Sequence, residues 1–360
     1  MRLGMFAQPF HPPGKSPYDC QEWDLQVIRW MDEFGYDEAW FGEHHTVPWE
    51  PNPAPDILIA QAFRETKRIR LGTGGVCLPY HNPAVVANRM AWLDHVSQGR
   101  LNFGVAVGSI PADWKLLGIN GADTRDMTRE SLEIIHKIWS GERPFVYEGK
   151  YWRIEVEAPR LPLFDAHILP LQKGGPPIGV AGISANSPTL KIAGKMGYLP
   201  MSLNADLGSL RSHWDTYAEA AEAAGRTPRR QDWRVSKEVI VAETDAAAQK
   251  LAIEGGLGFF QTDYLARMAF AMRPPGATTP PPEPGMLTPE YQARNSWIVG
   301  SPATVREKLE EYQHASGGFG TLLVLACDYA DQPEAWRASL QLLAEEVAPK
   351  LTTVSAPAMA

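Results

Sequence analysis

The sequence predicts a (β/α)8 TIM barrel with insertions, an α/β fold in which eight parallel strands are each followed by a helix. Eight short apolar segments alternate with segments of helical periodicity along the chain. The 360 residues exceed the roughly 250 that such a barrel needs, so insertions are expected between its elements. No linker separates two regions of different composition, which favours one domain over residues 1–350 and a short tail at 351–360.

The predicted strands are short apolar segments bounded by polar residues, glycine or proline. In chain order they span residues 2–10, 38–42, 69–76, 101–107, 178–180, 198–203, 235–241 and 321–325. The first predicted helix places Trp23, Val27, Trp30, Met31 and Phe34 at steps of three and four and ends at Gly35. Further helices are predicted at 56–66, at 83–97, from 132 to about 141, and at the end of the chain. The last carries Trp336, Leu340, Leu343 and Val347 on one face.

Two stretches exceed what a minimal barrel needs. Residues 141–177 combine proline and glycine with Tyr147, Tyr151 and Trp152, and residues 255–297 contain a proline-rich segment at 273–285. Connections of that length within compact domains are often lids or disordered segments. The second stretch is therefore a candidate lid over the site, with a disordered segment as the alternative.

Composition and charge exclude several classes of protein. A net charge of −8 leaves no basic excess to neutralise phosphates, so nucleic-acid binding is not expected. No apolar run reaches the roughly 20 residues of a membrane helix, and no secretory signal precedes the first strand, so the cytoplasm is the expected compartment. Cys20, Cys77 and Cys327 lie far apart in sequence and are expected to be small core residues without a metal.

Polar residues follow the second predicted strand, where barrel enzymes build their sites. The segment Glu43-His44-His45 lacks the helical spacing of a zinc motif, and successive extended residues face opposite ways. At most one of the two imidazoles is expected to face the pocket. Histidine exchanges protons near neutral pH, which favours a general acid/base role there. A hydrogen-bonded histidine at a strand end is the structural alternative.

Two further segments have the composition of ligand-binding loops. Ser184, Asn186 and Ser187 precede a helix that begins near Pro188, and small residues there let a phosphate reach the helix N-terminus. An ordinary N-cap at Ser187 explains the same pattern. The glycines in Gly72-Thr-Gly-Gly75 indicate either a flat ligand against the backbone or a simple bulge.

Several motifs in this order resemble the bacterial luciferase-like flavin monooxygenases, a family of modified (β/α)8 barrels. They are Phe41-Gly-Glu-His-His45, Leu71-Gly-Thr-Gly-Gly75, Leu78-Pro-Tyr-His-Asn-Pro83, the segments 93–104 and 129–135, and Val299-Gly-Ser-Pro302. The segments 186–194, 211–217, 317–322 and 345–350 are similar to the diketocamphane and limonene monooxygenase type. The resemblance covers most of the chain.

The resemblance implies a site for FMN, which a separate flavin reductase supplies in reduced form. It places His44 as the catalytic residue and the FMN phosphate at Ser184, Asn186 and Ser187. It also implies a non-proline cis peptide at Gly74 and Gly75. Luciferases carry an arginine where this chain has Val107, so the phosphate contacts are expected to differ. The residues implied to bind the cofactor are Gly74, Gly75, Ala106, Val107, Gly108, Ser184, Asn186 and Ser187.

The implied reaction is oxygenation of a small hydrophobic molecule, such as a cyclic ketone or terpenoid, by O2 through a C4a-peroxyflavin in a dry pocket. Trp40, Trp49 and Trp114 are candidate walls of that pocket, and ordinary packing in the core is the alternative for each of them. The family also implies a homodimer. Two alternatives share the fold: an oxidoreductase that transfers hydride with the deazaflavin F420, and a non-catalytic flavin-binding protein. The presence of His44 argues against the second.

Overall fold

Eight parallel strands close into a barrel in the computed structural model, which describes residues 1–159, 168–203, 205–271 and 283–351. Each strand pairs with its neighbours in chain order, and the first pairs with the last, so the ring has no free edge. The predicted (β/α)8 barrel is confirmed. The strands are β1 (Arg2–Ala7), β2 (Glu38–Phe41), β3 (Arg70–Thr73), β4 (Leu101–Ala106), β5 (Ile178–Gly182), β6 (Leu199–Ser202), β7 (Arg234–Lys237) and β8 (Thr321–Leu325).

Helices follow every strand and cover the outside of the barrel. Most begin with proline in the first turn, where the missing N–H costs nothing. The helices are α1 (Pro17–Phe34), α2 (Pro55–Glu65), α3 (Pro83–Val96), α4 (Pro111–Leu117), α5 (Thr124–Trp139), α6 (Pro188–Met196), α7 (Leu207–Ala223), α8 (Asp245–Glu254), α9 (Gly256–Phe260), α10 (Ala266–Ala271), α11 (Pro289–Asn295), α12 (Pro302–Ser316) and α13 (Pro333–Leu342).

Two predicted strands are shorter than their apolar runs. The run at 69–76 contains β3 and then, after Gly74 and Gly75, a two-residue strand at Val76–Cys77 that pairs with β4. The run at 235–241 contains β7 and a separate strand, Val239–Val241, which pairs with Ile298–Gly300 outside the barrel. Apolar residues stand on both sides of each break, so the sequence alone did not reveal them.

The barrel interior is filled by side chains around Trp40, which is completely buried. Its indole nitrogen donates to Glu38, and Glu38 pairs with Arg234 at 2.9 Å inside the barrel. A Cβ on Gly72 would lie 2.6 Å from the indole, and one on Gly179 would lie 2.8 Å from it. Both glycines therefore make room for Trp40. Gly72 contacts a tryptophan, which was neither of its predicted roles. Trp40 is packed in the barrel core, which was the alternative predicted for it.

Both predicted insertions stand outside the strand–helix alternation. In the first, Phe145–Glu148 and Arg153–Val156 form an antiparallel hairpin, and residues 160–167 lie outside the described part. The second contains α9, a π-helical turn at Gln261–Leu265, α10 and α11. The proline-rich segment predicted to be a lid falls largely at 272–282, outside the described residues, as does the tail from 352. The three cysteines are buried, as predicted, and each has a free thiol.

Candidate active site

The residues predicted to form the site come from neighbouring strand ends. Glu43 and His44 follow β2, Gly74 and Gly75 follow β3, and Gly108 follows β4. Because all eight strands are parallel, their carboxyl ends lie at one end of the barrel. That end is the candidate active site.

Among the described helices, none combines the length and the apolar composition that a membrane-spanning helix requires.

Gly74 and Gly75 lie against backbone. A Cβ on Gly74 would be 3.0 Å from the backbone of Phe41, and one on Gly75 would be 2.6 Å from Gly104. The only cis peptide in the described parts of the chain is Arg143–Pro144, so the predicted cis bond at Gly74 and Gly75 is wrong for this structure. The close approach of three strand ends explains these glycines instead.

Glu43 organises the polar residues that follow β2 and β3. Its carboxylate is 2.9 Å from His45 Nε2 and 2.7 Å from His81 Nε2, and it accepts a hydrogen bond from the Cys77 amide at 2.8 Å. Burial alone raises the pKa of Glu43, but the hydrogen bonds from both histidines outweigh burial and lower it. The bond to Glu43 raises the pKa of His45 against the opposing effect of burial. His45 is thus occupied by Glu43.

No metal centre emerges from this cluster. Throughout the described ranges, no group of three or more His, Cys, Asp or Glu side chains could hold a metal ion. Glu43 has its carboxylate oxygens directed to two imidazoles and one amide, which is a hydrogen-bonded arrangement.

The loop after β4 is tightly packed around Gly108. This glycine has a φ of +67°, and a Cβ there would overlap the ring of Tyr80. The Trp114 indole donates to the Gly108 carbonyl at 3.2 Å, so Trp114 supports the loop. Burial raises the pKa of Tyr80. Its hydroxyl is buried and finds no partner among the described residues. Ala106 and Val107 precede this turn and are half-buried.

The loop after β5 is open to solvent at Ser184 and Asn186 and ends at α6. Asn186 adopts the left-handed region with φ +52°, and its amide and side chain both bond the Ser212 hydroxyl. Ser187 is the N-cap residue of α6, yet its side chain does not cap the helix, because its hydroxyl lies 2.8 Å from that of Thr189. The first backbone amides of α6 therefore receive no hydrogen bond from the Ser187 side chain. The ordinary N-cap, which was the alternative explanation of this segment, is not formed.

His213 supports this loop through a hydrogen bond to its backbone. This residue was not identified as functional from the sequence. It is fully buried, with Nδ1 3.0 Å from the Ser202 hydroxyl and Nε2 2.8 Å from the Ser184 carbonyl. Burial lowers its pKa. His213 therefore supports the backbone of Ser184 as a neutral hydrogen-bond donor.

His44 differs from its neighbour His45 in its partners. Its Nε2 lies 2.7 Å from Glu50, while its Nδ1 is buried without a partner in the described structure. The Glu50 carboxylate also accepts a hydrogen bond at 2.8 Å from the hydroxyl of Tyr264, in the second insertion. The side chain of His44 as a whole is 17% exposed.

The sequence matches known proteins over almost its whole length. The model of the luciferase-like monooxygenases matches residues 1–317. The chain belongs to the luciferase-like monooxygenase family. It is similar to 3,6-diketocamphane 1,6-monooxygenase of Pseudomonas putida, at 36% identity over 98% of each chain. It is also similar to 4-hydroxyprotoasukamycin monooxygenase of Streptomyces nodosus subsp. asukaensis, at 38% identity over 97% of this chain and 91% of that one.

A solved structure agrees with these relatives. The oxygenating constituent of 3,6-diketocamphane monooxygenase from Pseudomonas putida, in complex with FMN, has a TM-score of 0.90 to this luciferase-like monooxygenase, with 37% identity over 99% of each chain. The predicted resemblance and its subgroup, and the predicted class of flavin-dependent monooxygenase, are confirmed.

Proposed function

We propose that this luciferase-like monooxygenase uses reduced FMN and O2 to insert one oxygen atom into a small cyclic ketone. The observation that carries the proposal is the full-length similarity to a monooxygenase named for a diketone, at 36% identity. In the balanced reaction, one oxygen atom enters the bond between the carbonyl carbon and its neighbour. The other atom leaves as water, and reduced FMN becomes oxidised FMN.

The loop after β5 suits the phosphate of FMN. Ser184 and Asn186 are exposed, and α6 begins with no side-chain cap on its amides. A helix N-terminus with free amides attracts an anion, and serine and asparagine add hydrogen-bond donors. Ser187 contributes its backbone at the N-cap, since its hydroxyl is already bonded to Thr189. Val107 offers no charge, so this loop is proposed to carry the phosphate contacts.

The strand ends suit the flavin ring. Gly74, Ala106 and Val107 are half-buried there and are proposed to face the ring, whereas Gly75 and Gly108 are packed against Gly104 and Tyr80 and are proposed to shape the backbone beside it. Two buried polar atoms near these strand ends, His44 Nδ1 and the Tyr80 hydroxyl, lack partners among the described residues. Buried polar atoms normally have partners, so both are available to a ligand.

His44 is proposed to act on the oxygen that reacts with the substrate. When bound and reduced, FMN supplies the electrons that activate O2. The imidazole of His44 holds a hydrogen bond to the reacting oxygen and exchanges a proton with it through Nδ1. The aromatic residues Trp49 and Tyr264 stack at 5.5 Å beside this position and limit access of water.

The proposed partners follow from this chemistry. Reduced FMN diffuses from a separate reductase, which fits the cytoplasm, where the reductant NADH is available. A homodimer is proposed through α2 and α3. On α3, Val85, Trp92 and Val96 lie at steps of seven and four, and with Ile57 on α2 they are 41–65% exposed. Apolar side chains grouped in this way favour a protein partner.

A coupled oxygenation assay tests the proposed reaction. Reduced FMN, O2 labelled with ¹⁸O and a panel of cyclic ketones and terpenes are mixed with the enzyme, and products and peroxide are quantified. The expected result is a lactone that carries one ¹⁸O atom. Release of all the reducing equivalents as peroxide with every substrate would contradict the proposal. Hydroxylated or epoxidised products would retain the monooxygenase and exclude the ring insertion. Parallel incubation with reduced F420 is expected to give no product.

A further inference from the structure

Glu50 is a buried acid that lies outside the residues predicted from the sequence. It belongs to the loop after β2 and is 3% exposed. Its Oε2 lies 2.7 Å from Nε2 of His44, and its Oε1 accepts the hydrogen bond from Tyr264 at 2.8 Å. Both carboxylate oxygens are therefore engaged by the two side chains that flank it.

This contact decides where the imidazole of His44 carries its hydrogen. A carboxylate accepts hydrogen bonds and cannot donate them, so the nitrogen that faces it must bear the hydrogen. Glu50 therefore keeps the hydrogen of a neutral His44 on Nε2 and leaves Nδ1 as an acceptor. If the ring becomes protonated, the added hydrogen resides on Nδ1. The backbone of His44 is held as well, because its amide donates to the Asn52 carbonyl at 3.0 Å.

Tyr264 ties this pair to the second insertion. It lies in the π-helical turn Gln261–Leu265, a distortion that often marks functional sites. Its ring stacks on Trp49, the residue directly before Glu50, with centroids 5.5 Å apart and an angle of 28°. Phe10 and Phe260 pack against other parts of the same ring. The hydroxyl of Tyr264 is thus aimed at Glu50 by packing on several sides.

We propose that Glu50 is the positioning residue of His44 and that Tyr264 couples the π-helical turn Gln261–Leu265 to it. Glu50 fixes the tautomer and the ring orientation, so that Nδ1 meets the oxygen of the substrate or of the activated O2. The catalytic consequence rests on the proposed function, whereas the tautomer follows from the contacts alone. In this arrangement a hydroxyl of the second insertion supports the carboxylate that orients the catalytic imidazole.

Three variants separate these roles. Glu50→Gln keeps the shape of the side chain but can donate as well as accept. Tyr264→Phe removes only a hydroxyl from the pair. Tyr329→Phe is the matched control, because its buried hydroxyl accepts from the Leu257 amide at 3.2 Å and does not contact Glu50. Urea unfolding of each variant establishes that it is folded.

The first measurement is the tautomer of His44, read by NMR of protein labelled with ¹⁵N-histidine and assigned with His44→Ala. The wild-type protein and Tyr329→Phe are expected to show hydrogen on Nε2. Glu50→Gln is expected to show a mixture of both tautomers. Unchanged ¹⁵N shifts of His44 in Glu50→Gln would overturn the proposal. Hydrogen on Nδ1 in the wild-type protein would overturn the role of Glu50 even if Glu50→Gln does not fold. Shifts of His44 in Tyr264→Phe equal to those in Tyr329→Phe would overturn the coupling through Tyr264.

The second measurement is the amount of oxygenated product in one turnover. Carboxylates that orient metal-bound histidines typically contribute 10- to 100-fold, and by analogy Glu50→Gln is expected to lower the rate of product formation by about 10-fold or more. Tyr264→Phe is expected to lower it by about threefold, with little change in KM. If no ketone is oxygenated, the proposed function fails. The tautomer of His44 then still tests whether Glu50 positions the imidazole. If oxygenation proceeds and neither variant reduces it, the positioning role fails alone.

Discussion

Two histidines at the same end of the barrel have opposite environments. His11 follows β1 and is 1% exposed, with Nδ1 2.9 Å from Asp328 and Nε2 3.4 Å from Asp24. His44 follows β2 and has one nitrogen on a carboxylate and one without a described partner. An imidazole with both nitrogens occupied can only hold the structure together. One with a nitrogen that has no partner among the described residues can still bond a ligand.

The electrostatics of the His11 cluster support this distinction. Burial by itself lowers the pKa of His11, but hydrogen bonds to Asp24 and Asp328 outweigh burial and raise the pKa to about 11. Lys15 adds a second cation, at 2.9 Å from Asp328. These contacts join the loop after β1 to the loop after β8, which closes the seam between the first and last strands.

The largest expected effect comes from removing the occupied histidine. His11→Ala leaves Asp24 buried without its cation, so we expect a loss of about 3–5 kcal/mol in the free energy of unfolding. Urea denaturation followed by circular dichroism measures it. A loss below about 1 kcal/mol would show that the cluster is not structural and would remove the contrast with His44.

Removal of His44 should leave the fold intact and strongly reduce the reaction. For His44→Ala we expect oxygenated product to fall by about 100-fold, the lower range of general acid/base catalysis. Peroxide should rise in its place. The free energy of unfolding should fall less than in His11→Ala. Product formation at the wild-type rate would show that His44 has no role in the chemistry.

The charge of His11 also predicts a pH dependence. Its pKa in the folded protein, about 11, exceeds the ordinary value of 6.5. The stabilisation from its charge is therefore complete below pH 6.5 and is lost as the pH rises towards 11. The difference in unfolding free energy between wild type and His11→Gln should shrink between pH 6 and pH 10. A difference that stays constant or grows would contradict the paired, charged state of His11.

His213 provides the smallest effect, because it is an occupied histidine that touches a ligand loop. Its removal in His213→Phe breaks the bond to the Ser184 carbonyl, and a bond of about 1 kcal/mol corresponds to roughly fivefold in the Kd for FMN. Fluorescence titration with FMN measures it. The control is His95→Phe, which removes a similar bond to the Leu169 carbonyl. Equal changes in the Kd for FMN in both variants would show that His213 has no specific role in FMN binding.

Much of the barrel could be predicted from the sequence because its signals are local. Each buried parallel strand forms a continuous apolar run, and each helix shows a periodic face. The breaks at Gly74 and at Glu238 were missed because apolar residues continue on both sides. Gly72 was assigned to a ligand or a bulge, since nothing near it in sequence indicates that Trp40 lies across the barrel from it.

The site was predictable only where its residues occupy strand ends. His44 and the loop at Ser184 follow apolar runs, so their positions could be expected from the parallel topology. Glu50 and Tyr264 are separated by 214 residues and meet through packing between a loop and an insertion. No spacing rule joins such a pair. The environment of His213 likewise depends on three separate elements.

Trp40, Gly72 and Gly179 constrain one another, so a change at one of them requires changes at the others. A methyl group at either glycine would overlap the indole, so neither position can vary while the tryptophan stays. A laboratory library that diversifies these strands one residue at a time would discard almost every change there. The triple variant Trp40→Leu, Gly72→Ala, Gly179→Ala would remove the overlap and allow further substitutions at these positions. It would also change the packing of the barrel interior next to the site.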